Sequence, residues 1–381
     1  MKDQWPRTPL ADLCEFFGDG DWIESKDQSA EGIRLIQTGN VGEGAFKDRA
    51  EKARYISKAT FERLRCTEIF EGDCLISRLP DPVGRSCILP ATGERMITAV
   101  DCTIVRFKDK LLLSEFFSFY SQSDEYLKTI AHECTGTTRS RISRNNLGLT
   151  PIPLPPLPEQ RRIVGILDEA FAAIATAKAN TEANLQNVSA IFESRLHAIF
   201  SQRGKGWVEK AISECFKVKS GDFLPARAMI VIGKYDVYGG NGVNGRYDKK
   251  NLSGENIVIG RVGAKCGNIH HLQNDAWVTD NALYISEYFC TFDFRFLTRL
   301  LRYKDLRSRA NQMAQPVISY TTIKDVFLVF PASKNEQQRI ADDLDALSAE
   351  TQRLAILYQQ KLAALDALKK SLLHQAFSGR L

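Results

Sequence analysis

Two stretches of this chain carry the same hydrophobic rhythm. In the first, apolar or small residues fall at 163, 167, 170, 174, 177, 181, 184/185, 188, 191/192 and 195/196, alternating steps of four and three. The second repeats the rhythm at Ile340, Leu344, Leu347, Thr351, Leu354, Tyr358, Leu365, Leu368 and Leu372. Such spacing keeps one stripe of a helix apolar and is the heptad seam of paired helices. Pro158 and Glu159 suit a helix start, where a missing N–H is harmless and an acid meets the helix dipole. Gly204 and Gly206 stop the first helix, and Gly379 the second. At 1.5 Å per residue, about 43 residues make a rod of about 65 Å. Its stripe needs a partner. The nearest candidate is its own copy, with Ile163, Leu167, Ile174, Leu185, Val188, Ile340, Leu344, Leu347, Leu354, Leu365 and Leu368 at the interface. Two separate helices, each docked on its own domain, are the alternative.

The rhythm is part of an internal duplication. Glu159-Gln160-Arg161-Arg162-Ile163 returns as Glu336-Gln337-Gln338-Arg339-Ile340, an offset of 177 residues that also relates Leu167-Asp168 to Leu344-Asp345, Leu196-His197 to Leu373-His374, and Phe200-Ser201 to Phe377-Ser378. An ungapped offset over some forty residues indicates one element duplicated within the chain. Fainter echoes lie upstream: Trp5 and Trp207, EGDCLISR (71–78) and GENIVIGR (254–261), VDC (100–102) and TDN (279–281), Ile142-Ser143 and Ile318-Ser319, Pro155 and Pro331. The layout reads as globular block, helix, globular block, helix, with bounds 1–157, 158–203, 204–332 and 333–381.

Within the blocks, DCLIS (73–77), DCTIVRF (101–107), ENIVIG (255–260), DNALYIS (280–286) and DVFLVF (325–330) predict strands between Gly/Asn/Asp-rich turns. Each block also predicts one longer helix, roughly 111–131 and 292–312. The latter sets Arg295, Arg299, Arg302, Lys304, Arg307 and Arg309 against Phe296, Leu300 and Leu301. A basic amphipathic helix is usually a solvated face, and becomes a phosphate-contact candidate only beside other nucleic-acid signals. The fold class is therefore mixed α/β: two globular domains joined by two long helices pairing as an antiparallel coiled coil, with an internal pseudo-twofold repeat.

Composition narrows the function. A 381-residue chain with 44% hydrophobic and 25% charged residues is ordinary for a globular protein of two or more domains. Nine cysteines, none spaced C-x-x-C, argue against a zinc ribbon or a redox motif, and favour reduced thiols in a cytosol. The first residues lack an apolar signal region, and no run approaches 18 apolar residues, so the expected location is cytoplasmic, away from membrane. Net charge is +5, unevenly placed: residues 1–150 carry 21 Lys+Arg against 23 Asp+Glu, whereas 204–330 carry 18 against 12. The second block is basic enough for a nucleic-acid surface, as are many surfaces that bind none.

No catalytic constellation is legible. Gly240-x-Gly242-x-x-Gly245 spells a dinucleotide fingerprint but runs on into the polar Arg246-Tyr247-Asp248-Lys249-Lys250-Asn251, where that reading requires a helix. There is no GxxxxGK[ST]. His270-His271 have no third ligand nearby, and Ser143 and Ser319 have no partnered histidine in either half. The chain has neither the Asn-Pro-Pro-aromatic tetrapeptide of adenine methyltransferases nor a nuclease-like acidic cluster, and no cofactor of its own is expected.

What the turns offer is glycine and asparagine beside aromatic and basic residues. Tyr235-Asp236-Val237-Tyr238-Gly239-Gly240-Asn241-Gly242 supplies backbone amides for phosphate, a ring for stacking and an amide that pairs with adenine. Arg261-Val262-Gly263-Ala264-Lys265 brings two cations to a strand end, of the kind that pair with guanine. Candidate DNA contacts are accordingly Tyr238, Asn241, Arg246, Lys249, Arg261, Lys265, Arg299 and Arg302. In the first half they are Trp22, Gln37, Asn40, Arg78, Arg85, Arg139, Arg141 and Arg144. Taken singly, each reads better as turn chemistry or solvated charge; their joint occurrence in both halves points to DNA.

Two variable blocks, each followed by a PLPPLPEQRRI- or NEQQRI-type helix, resemble the specificity (S) subunit of type I restriction–modification systems. YDVYGGNGVNG, IGRVGAKCGNI and WVTDNALYI resemble one class of its target-recognition domains, DGDWIESKDQ and IRLIQTGNVGEGAF another. The resemblance covers essentially the whole chain. It implies a non-catalytic reader of double-stranded DNA, each domain binding half of an interrupted site. The helices hold the domains apart and dock two methyltransferase (M) subunits, to which restriction (R) subunits are added. S-adenosylmethionine and ATP then belong to the partners. One departure is Leu79-Pro80-Asp81-Pro82-Val83-Gly84, which replaces the glycine-rich run after Arg261. Two other readings stay open: a stand-alone modification enzyme with fused recognition domains, and a coiled-coil scaffold without DNA binding.

Overall fold

The computed structural model describes residues 5–136, 140–202, 204–311 and 316–381. The chain divides into two units, one formed by the residues up to Glu182 together with Gln360–Leu381, the other by Ala183–Gln359. Each unit thus takes part of both long helices, where the sequence reading set the helices apart as elements of their own.

The two globular blocks are built on one plan. The first holds a four-stranded antiparallel sheet in the order Cys14–Asp19, Cys102–Phe107, Cys74–Ser77, Ser86–Ile88; the second repeats it as Phe216–Ser220, Ala282–Tyr288, Asn256–Gly260, Ile269–Leu272. Cys74–Ser77 and Asn256–Gly260 are buried along their whole length, which is why they read as unbroken apolar runs rather than alternating ones. A two-stranded ribbon closes each block, Arg7–Pro9 with Pro151–Pro153 and Trp207–Ala211 with Phe327–Pro331. A third sheet carries a parallel strand pair in each block, Ile33–Ile36 beside Met96–Thr98 and Tyr235–Gly239 beside Ala276–Val278. The blocks differ there in size, five strands against three.

Neither block helix runs as long as the spacing predicted. The first is broken into Ser114–Tyr120 and Asp124–His132, because Ser123 caps the second piece by accepting from the Tyr126 N–H at 3.2 Å. The other ends at Tyr303. Asp305 turns left-handed at φ 42°, and the chain continues as a short 3-10 turn, Leu306–Arg309.

The long helices span Leu157–Ser201 and Lys334–Phe377, within a few residues of the predicted bounds. In the first unit they run antiparallel: Lys178 Nζ lies 2.7 Å from Asp366, and Arg162 donates to the Leu381 carbonyl at 2.9 Å. Ile163 and Leu167 join one core with Leu373, Ala376, Phe377, Phe116 and Tyr120. In the second unit the last turns of the first helix, with Leu196, Ile199 and Phe200, share a core with Ile340, Ala341 and Leu344 of the second. Ile174 and Val188 are buried, while Leu185, Leu347, Leu354 and Leu365 are half-buried. Leu368 is the exception, exposed at 46%. The seam steps four residues from Leu365 to Lys369, whose ammonium sits 4.7 Å from the centre of the Phe171 ring. Burial, the largest influence, pulls that ammonium below the usual lysine range.

The repeated Glu-Gln pair has a mechanical role at both helix starts. Gln160 is wholly buried. Its Oε1 accepts from the Leu113 N–H at 2.9 Å, and its Nε2 donates to the carbonyls of Leu111 (2.8 Å) and Pro155 (2.9 Å). Gln337, equally buried, accepts from the Asp293 N–H at 2.9 Å and donates to Thr291 (3.3 Å) and Pro331 (2.8 Å). Leu113 and Asp293 are the N-cap residues of equivalent block helices. One amide therefore fastens each long helix to the block before it, and satisfies main-chain groups that would otherwise be orphaned.

Candidate DNA interface

Arg78 and Arg261 stand at the same place in the two blocks, just after strands Cys74–Ser77 and Asn256–Gly260. Their main-chain N–H groups donate to the carbonyls of Asp101 and Asn281, and their own carbonyls accept from Ile142 and Ile318. Their guanidinium groups donate to the Val100 carbonyl (2.6 Å) and the Asp280 carbonyl (3.0 Å). The surroundings then diverge. Arg78 lies 3.2 Å from Asp19, which also draws Arg144 to 3.7 Å, while Arg141 lies 3.2 Å from Asp101. At the equivalent of Asp19 the second block has Ser220, whose hydroxyl accepts from Arg261 at 3.3 Å. The first block thus holds three arginines around two acids, and the second one half-buried arginine among neutral groups. Arg78 is only 4% exposed and its Nε has no partner. Burial lowers its pKa against the pull of Asp19.

In the second block two turns meet at Arg261. Gly260 and Gly240 are so close that a Cβ on Gly260 would lie 2.6 Å from the Gly240 carbonyl oxygen and 2.5 Å from that of Lys265. This brings Asn241 and Lys265, both exposed, to one end of the block with Arg261. Tyr238 lies on the strand leading into that turn, its ring 6.4 Å from His270. Arg246, on the neighbouring strand, pairs with Asp236 at 3.0 Å, and Lys249 is exposed beyond it.

Other candidates are bound into the protein. Arg85 is buried and donates to four carbonyls, those of Val41, Leu79, Pro82 and Thr38, at 2.7–2.9 Å; it fastens the 79–84 loop that replaces the glycine run. Asn40 donates to the Lys47 and Asp48 carbonyls and closes a short turn by accepting from the Gln37 N–H at 3.0 Å. The basic helix makes contacts with the rest of its unit as well. Arg299 pairs with Asp345 and lies over the Phe192 ring at 5.6 Å, Arg295 pairs with Asp342 and Asp345, and Arg302 donates to the Ile269 carbonyl at 2.9 Å. Arg299 is thus tied to the long helices, whereas Arg302, held to the sheet through the Ile269 carbonyl, stays exposed. Arg139 lies outside the described residues. Trp22 is 70% exposed, its Nε1 3.4 Å from Glu24.

Among the described residues no group of three or more His, Cys, Asp or Glu is placed to hold a metal ion, and no helix is long and apolar enough to cross a membrane. All nine thiols are free. The arrangement offers guanidinium, amide and ring groups at strand ends.

The type I restriction modification DNA specificity domain matches residues 2–187 and 204–359, one copy per half. The chain belongs to that family. It is 29% identical over 147 residues to the Type I restriction enzyme EcoprrI specificity subunit of Escherichia coli, covering 37% of this chain and 36% of that one. It is 27% identical over 181 residues to a putative type I specificity subunit of Mycoplasma genitalium, covering 42% and 45%. These matches span less than half the length of either relative. Two solved structures share the fold over the whole chain. One is a chain from work on complex assembly and conformational transition of the type I R-M system, with TM-score 0.78, 17% identity and 99% of that chain covered. The other is the HsdS subunit from Thermoanaerobacter tengcongensis, with TM-score 0.65, 18% identity and 98% covered. The duplicated helices and strand echoes are thus one family domain, present twice.

Proposed function

We propose that this chain is the DNA-reading subunit of a type I restriction–modification complex and performs no chemistry itself. The observation that carries this reading is the half-buried strand-end arginine Arg261 beside two glycine-bearing turns, with exposed Arg141 and Arg144 gathered around its buried counterpart Arg78, in blocks of a DNA specificity family. A guanidinium held by main-chain carbonyls is oriented before DNA arrives, and bidentate pairing with guanine O6 and N7 is its commonest base contact. Each block reads one half of an interrupted site. Asn241, Lys265 and Tyr238 work beside Arg261; in the first block Arg141, Arg144 and Trp22 make the contacts, over a buried Arg78 that holds the acids around them. Gln37, Asn40 and Arg85 shape the first block's surface from behind. Methyltransferase and restriction subunits dock on the complex and bring S-adenosylmethionine and ATP, and the assembly works in the cytoplasm.

The deciding experiment is co-expression with a type I methyltransferase subunit from the same source, followed by mapping of methylated adenines across the genome. A bipartite methylated site is expected with the pair and none with either alone. The purified chain is expected neither to methylate nor to cut DNA with S-adenosylmethionine, ATP and magnesium supplied. Methyl transfer by the chain alone would sink this reading.

A further inference from the structure

Both blocks expose one aromatic ring at the same structural position, after the same Gly-Asp pair. Strand pairing sets Asp19 opposite Thr103 and Ser220 opposite Leu283, so the next three residues correspond: Gly20-Asp21-Trp22 and Gly221-Asp222-Phe223. The main chain confirms the match. Gly20 donates to Cys102 and Gly221 to Ala282; Asp21 then donates to Thr98 and Asp222 to Val278. Each glycine is required by a close crossing, since a Cβ on Gly20 would lie 2.4 Å from the Thr98 oxygen and one on Gly221 2.1 Å from the Val278 oxygen. Each aspartate side chain accepts a hydrogen bond, Asp21 from the Thr67 N–H at 2.9 Å and the exposed Asp222 from Asn251 Nδ2 at 2.9 Å. The residue that follows has nowhere to go but out: Trp22 is 70% exposed and Phe223 73%.

A single exposed ring needs no explanation. Two at one position, each preceded by the same glycine and aspartate just past the first strand of its four-stranded sheet, are a different matter. Three residues before each ring is the group that holds the strand-end arginine, Asp19 for Arg78 and Ser220 for Arg261. We propose that Trp22 and Phe223 are equivalent base-stacking residues. Each ring lies against the bases of the half-site read by its own block, wedged at a base step beside the arginine contact. The inference rests on the DNA-reading function proposed above and adds Phe223 and the mode of contact. A π-face pressed on bases and flanked by cations is how proteins hold unstacked or kinked steps.

The test uses the complex with its methyltransferase and a duplex carrying the mapped site. Trp22→Ala and Phe223→Ala are each expected to weaken binding about 10- to 100-fold, the scale of one aromatic–base stack. Melting temperature should not change. Trp22→Phe and Phe223→Trp should stay within about threefold of the parent, since either ring stacks. 2-Aminopurine placed through each half-site should report altered stacking with the parent, and lose that signal in one half-site with each alanine variant. If the parent complex does not bind the duplex, the DNA-reading function fails and the inference with it. If the parent binds and both alanine variants bind alike, only the stacking role is overturned. Loss of methyltransferase co-purification with DNA affinity unchanged would overturn it too, by making the rings a protein contact.

Discussion

Replacing Gln160 by alanine removes three hydrogen bonds of 2.8–2.9 Å and leaves one N–H and two carbonyls facing a hole. At about 1 kcal/mol net for each bond the loss is about 3 kcal/mol, and more where an orphaned group stays dry. For a folding unit of this size each kcal/mol moves the melting temperature by about 2–4 °C, so a drop of about 6–12 °C is expected. Gln337→Ala should cost the same in its own unit, because it makes the same three bonds. Gln160→Glu separates the donors from the acceptor. A carboxylate still accepts from the Leu113 N–H, but it faces two carbonyl oxygens and is buried, so the folded state favours the protonated acid. Its folded pKa then lies above the unfolded value of about 4.3. The native state binds that proton more tightly, so the penalty is smallest below about pH 4.3. It grows by about 1.4 kcal/mol per pH unit until the folded pKa is passed. Calorimetry from pH 4 to 8 on the parent and on Gln160→Ala, Gln337→Ala, Gln160→Glu and Gln337→Glu reads both effects. Alanine variants melting within 1 °C of the parent, or glutamate variants with a penalty independent of pH, would refute the clamp.

Three further outcomes follow from the same geometry. Leu344→Ala should cost about 2–5 kcal/mol, whereas Leu368→Ala should stay within about 0.5 kcal/mol by chemical denaturation, reversing the equal weight the heptad pattern gives them. Four helix-forming residues inserted at both Glu182/Ala183 and Gln359/Gln360, the bounds of the two units, add about 6 Å and about 40° of turn. Methylome mapping should then show a spacer longer by one or two base pairs, with both half-sites unchanged. The same insertion after Phe200 should leave the spacer alone, since Phe200 already packs in the second unit's core. Arg261→Ala should relax or abolish recognition in one half-site only, at about 1–3 kcal/mol; a uniform loss over all sequences would make it a phosphate contact.

What was legible in the sequence was whatever repeats at fixed spacing. The heptad stripe and the 177-residue offset located both long helices, and the likeness of EGDCLISR to GENIVIGR placed Arg78 and Arg261 in register. Direction of charge was not legible. Arg295 and Arg299 look solvated until Asp342 and Asp345 of the long helix are brought against them, pairings 46 to 50 residues apart in sequence. Leu368 misled because a lysine with a long apolar stem can occupy a seam as well as a leucine. Phe223 was overlooked although a signal existed. The Trp5–Trp207 offset of 202, shortened by one residue, carries Trp22 onto it.

The sharing of the long helices between units has a consequence for the order of events on the ribosome. Residues 183–359 are contiguous, so the second unit has all its core side chains once that stretch has emerged. The first unit does not: Phe116, Tyr120, Ile163 and Leu167 pack against Leu373, Ala376 and Phe377. At about 5–20 residues per second, the roughly 195 residues between Glu182 and Phe377 take about 10–40 s to synthesise. Throughout that interval the earlier-made half has an open apolar seam, so the half translated second is the first able to close. A chain stopped short of residue 360 would carry one finished unit and one exposed core, a substrate for chaperones and proteases.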